Sequence, residues 1–175
     1  MAYKISRTGD VMAVSRWSNA AAAAVCLALS GFGPTGDALA QEFSTKLQIS
    51  PQGGGHCIEV AGGEAVAGRG LQMADCSSGG EQSFIYDPAG MHLSFGKLCV
   101  DANGGKPGDL VKLSPCVAGS NQIWKSEQKG NFTKLVGENN LCLDVRYGSK
   151  EIGAPVQSWN CGESEPNQLW IFQRE

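Results

Sequence analysis

The chain has 175 residues, of which 24 are glycine, and its formal net charge at pH 7 is −3. This mild negative charge, without a block of basic residues, argues against nucleic acid or an anionic membrane surface as a partner. The length suits one domain of ordinary size, which can bury most of its apolar surface without help from a metal.

The first 40 residues have the three-part pattern of a secretory signal peptide. Basic side chains precede an apolar run at 20–32, and the small residues at 38–40 fit the cleavage rule. We therefore predict a signal peptide over 1–40 and a secreted or periplasmic mature domain over 41–175 without a membrane span. An N-terminal membrane anchor is the alternative, although the run is short for one. Met12 is an alternative start of the leader.

Six cysteines follow residue 40, and an even number in an exported chain indicates disulfides. Three of them open and three close similar units with a period near 42 residues. Six cysteines allow about 15 pairings, but the repeat favours pairing within each unit. The predicted disulfides are Cys57–Cys76, Cys99–Cys116 and Cys142–Cys161.

Two further motifs recur in the units, which run over about 44–87, 88–128 and 129–173. A Cys-x-acid-apolar step opens each unit and contains Glu59, Asp101 or Asp144. A Gln-x-aromatic motif follows each closing cysteine: Gln82-Ser83-Phe84, Gln122-Ile123-Trp124 and Gln168-Leu169-Trp170. Three ordered copies with one period indicate a repeat architecture.

The units are predicted to be all-β. Short apolar or alternating runs cut by glycine predict about four strands per unit. In chain order these runs are KLQIS, CIEV, LQMA, FIY, HLSF, CVDA, LVKL, IWK, FTKLV, CLDV, VQSW and LWIF. No amphipathic helix is predicted after residue 41.

The Cys-x-Asp-Val step, the Gln-x-Trp motif and the period resemble the ricin B-type lectin repeat over about residues 44–173. The resemblance implies a β-trefoil, in which three four-stranded units surround a pseudo-threefold axis. It also implies that Phe84, Trp124 and Trp170 meet in a shared core, with the glutamine amides bonded to nearby backbone.

The third unit differs from the others two residues before its closing cysteine. Trp159 stands there, whereas the other units have Ser114 and Ala74. Since residues two apart on a strand share a face, Gln157 and Trp159 point the same way, and the disulfide of the third unit brings Asp144 close. A ring, a carboxylate and amides match the C–H face and hydroxyl rim of a sugar.

By resemblance, the third unit holds the intact carbohydrate site, with galactose-type sugars favoured, and its residues are Asp144, Gln157, Trp159, Asn167 and Gln168. Tyr147, in the following loop, is a candidate second wall. The second unit has a degenerate set: Asp101, Asn121 and Gln122, with Lys112 and Ser114 in place of the glutamine and the ring. The first unit is more degenerate, with Glu59, Gln72, Ala74, Glu81 and Gln82. For these two units we expect a structural role.

No catalytic residue, metal site or cofactor is predicted. The chain has two histidines and no nucleophile motif to accompany them, and the exported cysteines form disulfides rather than a zinc site. We therefore predict a non-enzymatic lectin whose partners are glycans. A single shallow site binds at about millimolar affinity, so useful attachment needs several copies or an additional partner.

Two alternatives remain open. The first is a lectin-like delivery subunit of a multi-component bacterial toxin, which would bind a separate toxin or enzyme subunit. The second is a protein-interaction or inhibitor trefoil, because fold does not fix function.

Overall fold

The structure is a computed structural model that describes residues 41–49 and 51–175. The predicted signal peptide lies outside the described residues. The described chain forms twelve strands, and its helical segments are 3₁₀ turns of three residues each. Within this part of the chain, no helix has the length and hydropathy needed to cross a bilayer.

The twelve strands are distributed as four per predicted unit. They are β1 (Phe43–Ile49), β2 (Cys57–Val60), β3 (Leu71–Ala74), β4 (Phe84–Asp87), β5 (His92–Phe95), β6 (Leu98–Asp101), β7 (Lys112–Pro115), β8 (Lys125–Lys129), β9 (Phe132–Val136), β10 (Leu141–Val145), β11 (Val156–Asn160) and β12 (Trp170–Arg174). The 3₁₀ turns are Pro51–Gly53, Gly80–Gln82, Ser120–Gln122, Glu138–Asn140, Arg146–Gly148 and Pro166–Gln168.

Six of these strands close into an antiparallel barrel. Strand β1 pairs with β12 and β4, β4 with β5, β8 with β9, and β9 with β12. The seam between β5 and β8 is closed by a single bridge between His92 and Ile123, beside a hydrogen bond from Trp124 N to Met91 O at 2.6 Å. Closure leaves the barrel without an open edge.

The other six strands form three hairpins, β2–β3, β6–β7 and β10–β11, which bond to one another at one end of the barrel. Leu71 N donates to Val111 O at 3.3 Å, and Val111 N donates to Val156 O at 3.0 Å. Met73 N donates to Ala154 O at 2.9 Å, so all three units are joined. A six-stranded barrel with three hairpins is the β-trefoil, and the predicted fold is confirmed.

The aromatic residues of the Gln-x-aromatic motifs lie in the core, as predicted. Phe84, Trp124 and Trp170 are all fully buried. Each buried indole N–H has a partner: Trp124 Nε1 donates to Val100 O at 2.8 Å and Trp170 Nε1 to Leu143 O at 3.1 Å. These residues therefore contribute large buried apolar surfaces without an unsatisfied donor.

The glutamines of the same motifs hold the loop after each closing cysteine. The side chains of Gln82, Gln122 and Gln168 each accept from a backbone N–H at 2.8, 2.9 and 2.9 Å. Each also donates to a backbone carbonyl, at 2.8, 3.0 and 3.0 Å respectively. The predicted bonding of these amides to the nearby backbone is thus confirmed.

The six cysteines pair within their units as predicted, with Cα–Cα distances of 4.9, 5.0 and 5.0 Å. Each disulfide closes a loop of 17 or 19 residues. In the chain-entropy model, a loop of this size stabilises the fold by roughly 3 kcal/mol. In the third unit this constraint fixes the hairpin that carries Asp144 and Trp159.

Candidate functional site

The third hairpin, β10–β11, brings the predicted site residues to one face. Asp144 pairs with Gln157 across the hairpin, and Cys142 pairs with Trp159. Because side chains two residues apart lie on the same face of a strand, Asp144, Gln157 and Trp159 are neighbours. The indole of Trp159 lies at the surface, where the residue is 44% exposed.

These residues line a surface hollow of about 360 Å³. Its volume lies at the lower end of the range for small-molecule sites. Four of the five predicted site residues line it, and Gln168 does not. The lining residues are Asp144, Tyr147, Gly148, Gln157, Trp159, Glu165 and Asn167.

Asp144 forms the floor of the hollow and is only 1% exposed. Its Oδ1 accepts from Gln157 Nε2 at 2.8 Å. Its Oδ2 accepts from Asn167 Nδ2 at 2.6 Å and from Gln168 Nε2 at 2.9 Å. A carboxylate has about four acceptor positions, so three amide donors leave it with little capacity to spare.

The pKa of Asp144 is raised above its ordinary value of 3.8, chiefly because burial disfavours the charged form. The hydrogen bonds from Gln157 and Gln168 act in the opposite direction. The negative charge of Glu165 adds a smaller upward effect on the pKa. The site therefore keeps a carboxylate in a poorly solvated place, with amide donors as partial compensation.

Gln168 lies behind Asp144, and its amide is fully used. Besides Asp144, its Nε2 donates to Asn160 O at 3.0 Å, and its Oε1 accepts from Gly162 N at 2.9 Å. Gln168 is 1% exposed. The sequence predicts it as a ligand-contacting residue, and in the structure its amide N–H groups and its carbonyl oxygen all have protein partners.

Gln157 and Asn167 use their amide nitrogens on Asp144. No described residue donates to Gln157 Oε1 or Asn167 Oδ1, and neither oxygen is buried without a partner. Both carbonyl oxygens are consequently available to hydroxyl donors in the hollow. The hydrogen bonds to Asp144 thus orient the carbonyl oxygens of Gln157 and Asn167 as well as the carboxylate itself.

The ring of Trp159 is supported by a loop of the second unit. A Cβ at Gly108 would lie 3.5 Å from Trp159 Cζ3, an ordinary van der Waals distance. Gly108 N donates to Ser158 O at 2.7 Å, and Ser158 Oγ donates to Lys106 O at 3.2 Å. Gly108 has φ +93°, a conformation that favours glycine. No feature of the third unit alone could have revealed this support.

Tyr147 and Glu165 complete the rim of the hollow. Tyr147 is 87% exposed and lines the hollow, and its role as a second wall stays a prediction. Glu165 was not singled out in the sequence, because no repeated motif includes it. It lies on the loop between β11 and the 3₁₀ turn Pro166–Gln168 and is exposed.

The same loop is held from below by Lys134, which is 3% exposed. Its Nζ donates to Gly162 O and, at 3.0 Å, to Glu163 O. Burial lowers the pKa of this ammonium, an effect that nearby Lys129 reinforces. The backbone that leads to Glu165 and Asn167 is therefore fixed by a buried cation.

The second unit places its partial set differently. Asp101 pairs with Lys112 across the hairpin, so no glutamine amide approaches it from the neighbouring strand. Its Oδ2 accepts from Gln122 Nε2 at 2.9 Å, and its Oδ1 accepts from the backbone N of Asn103 at 2.7 Å. Asn121 makes no side-chain hydrogen bond to Asp101, and the ring position, Ser114, pairs with Cys99.

The first unit keeps only the cross-strand pair. Glu59 Oε1 accepts from Gln72 Nε2 at 2.9 Å. Glu81 instead accepts from Ser77 Oγ at 3.1 Å, within its own loop. Ala74 pairs with Cys57 and offers no ring. Of the three hairpin faces, only the third therefore combines an aromatic ring with an amide-bonded carboxylate.

Comparisons with known proteins agree with this architecture. The family model described as "Ricin-type beta-trefoil lectin domain" matches residues 45–170. The "Beta-galactoside-specific lectin 2" of Viscum album is 44% identical over 43 residues, which cover 24% of this chain and 8% of that protein. The match to this curated relative thus spans less than a tenth of its length.

Two solved structures share the fold at low identity. The C-half of an earthworm R-type lectin in complex with GalNAc has a TM-score of 0.62 at 19% identity, covering 76% of this chain and 99% of that one. A mosquitocidal holotoxin has a TM-score of 0.65 at 14% identity, covering 77% of this chain and 17% of that one.

Proposed function

Because the chain belongs to the ricin-type β-trefoil lectin domain family, we propose that it is a non-catalytic carbohydrate-binding protein with its sugar site in the hollow of the third unit. One observation carries the proposal: an exposed indole and a carboxylate held by three amide donors line the same hollow.

The hollow matches the two kinds of surface that a pyranose presents. The apolar C–H face of the sugar stacks on Trp159, whose ring face carries partial negative charge. Hydroxyl groups at the sugar edge donate to Asp144, and charged acceptors make the stronger hydrogen bonds. Gln157 Oε1 and Asn167 Oδ1 accept from the neighbouring hydroxyls.

The limited capacity of Asp144 decides how these bonds are shared. With three donors already present, the carboxylate takes one sugar hydroxyl directly, and a second requires displacement of an amide. Asn167 is the donor best placed to move, because Gln157 and Gln168 are 4% and 1% exposed whereas Asn167 is half-buried. Gln168 acts as a positioning residue behind the carboxylate.

We propose galactose-type sugars as the ligand. The support comes from two similar proteins: the Viscum album lectin is named as β-galactoside-specific, and the earthworm lectin half was solved with GalNAc. The proposal includes export from the cytoplasm, for which the leader pattern of residues 1–40 is the support. One shallow site gives about millimolar affinity, so biological attachment depends on clustered ligands or several copies.

The test is a titration of methyl β-D-galactoside into the protein, followed by NMR. Trp159→Ala removes the stacking surface and is expected to weaken binding by at least about tenfold. Ile152→Ala is the control, because Ile152 is 58% exposed in the same unit but does not line the hollow. Equal binding by Trp159→Ala and wild type, with both folded, would end the proposal.

The similarity to a mosquitocidal holotoxin favours a second candidate, in which this chain delivers a separate toxin or enzyme subunit. In that holotoxin the matched part is 17% of the chain. The candidate requires a partner protein that co-purifies with this chain and remains bound when free galactose is added. A monodisperse protein that recovers no toxin or enzyme subunit from its source organism would exclude it.

A further inference from the structure

Three residues that line the hollow are not used in the contacts proposed above for a single sugar: Tyr147, Gly148 and Glu165. The four remaining lining residues already supply a stacking ring, a carboxylate and two amides. These three residues therefore remain for contact with a further part of a ligand.

The two aromatic rings stand at opposite ends of the third hairpin. At one end of the hairpin, Trp159 is paired with Cys142. At the other end, Val145 is paired with Val156, and Tyr147 lies two residues after Val145. Cys142 and Val145 are three positions apart on an extended strand, a distance of about 10 Å. Asp144 and Gln157 lie between these ends. The hollow thus runs along the hairpin from one ring towards the other.

The conformation of Tyr147 is defined by its backbone and by its neighbour Arg146. Its backbone adopts φ 59° and ψ 15°, a left-handed conformation that costs about 1 kcal/mol or more for a residue with a side chain. Arg146 Nη2 donates to the tyrosine hydroxyl at 3.2 Å, and the guanidinium carbon lies 4.9 Å from the ring centroid. An exposed ring is thereby fixed at the rim.

Glu165 also lines the hollow, but its side chain lies against Gly162, which follows the Trp159 end of the hairpin. Its side chain does not cap the following 3₁₀ turn, and no described residue forms an ion pair with it. A Cβ at Gly148 would lie 3.8 Å from Asn167 Cγ, so the Tyr147 turn and Asn167 are adjacent. The end of the hollow beyond Asp144 therefore has its own ring, next to the amide of Asn167.

We propose that Tyr147 forms a second subsite, and that the ligand is a glycan of at least two sugar residues. This inference rests on the proposed function. The terminal sugar stacks on Trp159 and bonds to the floor around Asp144. The next sugar lies against the ring of Tyr147.

The experiment compares methyl β-D-galactoside with a panel of galactose-terminated disaccharides, including lactose and N-acetyllactosamine, by NMR titration. For the wild type, at least one disaccharide is expected to bind roughly fivefold tighter than the monosaccharide, the contribution of one aromatic contact. Tyr147→Ala is expected to remove this increment and to leave monosaccharide binding within about twofold. Ile152→Ala is expected to change neither.

The outcomes separate the two proposals. Monosaccharide binding that Trp159→Ala abolishes, together with no disaccharide increment, overturns the second subsite and leaves the proposed function standing. An increment that survives in Tyr147→Ala also overturns it. No binding of any sugar overturns both. Tyr147→Gly serves as a second variant, because glycine suits the left-handed backbone if the alanine variant folds poorly.

Discussion

Replacement of Asp144 by asparagine separates the charge of the carboxylate from its shape. Asparagine keeps one carbonyl oxygen, which can accept from both Asn167 and Gln168. Its new NH₂ group faces Gln157, whose amide has no other hydrogen bond to a described residue and can turn to present its oxygen. The internal network therefore remains satisfied, so we expect the free energy of unfolding to change by about 1 kcal/mol or less.

Binding should respond much more strongly than stability. A hydrogen bond to a charged group contributes about 1.5–3 kcal/mol, against about 0.5–1.5 kcal/mol for a neutral one. A loss of about 1–2 kcal/mol raises Kd by roughly fivefold to thirtyfold, which moves a millimolar site out of the measurable range. Asp144→Ala should lose both properties, because three amide donors then lose their acceptor.

The assay pairs sugar titration by NMR with urea denaturation. Asp101→Asn is the matched control, because Asp101 occupies the same position in the second unit and also accepts a glutamine amide. We expect it to leave sugar binding unchanged. If Asp144→Asn binds methyl β-D-galactoside as well as the wild type while folded, or if Asp101→Asn is equally damaging, the reasoning about the charged floor is refuted.

Three further predictions follow from the surroundings of the site. The raised pKa of Asp144 means that its proton is bound at a higher pH in the folded state than in the unfolded state. As pH falls through this raised pKa, sugar binding should be lost at a higher pH than for an aspartate of pKa 3.8. Over the same range the protonation of Asp144 should increase the folding stability, because the buried charge is removed. Kd measured against pH checks the loss of binding, and the melting temperature measured against pH checks the gain in stability. Lys134→Met should leave two backbone carbonyls of the Glu165 loop without their donor and lower the free energy of unfolding by about 1–3 kcal/mol in urea denaturation. Unchanged stability would contradict the inference that Lys134 holds this loop. Gly108→Val should weaken sugar binding more than Gly130→Val, since both glycines have positive φ but only Gly108 lies against Trp159. Equal binding by the two variants would contradict the inference that the Gly108 loop supports the ring of Trp159.

Most of the fold could be predicted because the repeat constrains it. Three copies of the cysteine and Gln-x-aromatic motifs fixed the pairing of the disulfides and the core positions of Phe84, Trp124 and Trp170. The predicted runs correspond to twelve observed strands. The motif of one unit alone would not have identified the fold, but its recurrence in three units at one period did.

Several strand bounds differ from the predicted runs, and two of these differences have a tertiary cause. The run LVKL predicts a strand that begins at Leu110, but Leu110 and Val111 bond to the third hairpin, and β7 begins at Lys112. The run IWK predicts a strand around Ile123, but Ile123 only bridges to β5, and β8 begins at Lys125. Strand β8 is mostly exposed and polar, so its sequence KSEQK lacks the apolar signal.

The site was only partly visible in the sequence. The ring and the carboxylate could be paired because strand alternation is a local property. Glu165 could not be found, because its approach to the hollow depends on how the loop after β11 turns. The positioning role of Gln168 also depended on burial: the motif marks the glutamine, but only the packing shows that all its polar atoms are used.

The support beneath Trp159 shows why the units cannot be judged one at a time. Gly68, Gly108 and Gly153 have φ of +89°, +93° and +82°, and each donates its N–H at 2.7 Å to the hairpin of another unit. The acceptors are Leu113, Ser158 and Met73, the residues just before Ser114, Trp159 and Ala74. Every unit therefore has a glycine loop behind its ring position, supplied by a neighbour. What distinguishes the third unit is the side chain on that support, so the second unit helps to hold Trp159 in place even without a ring of its own.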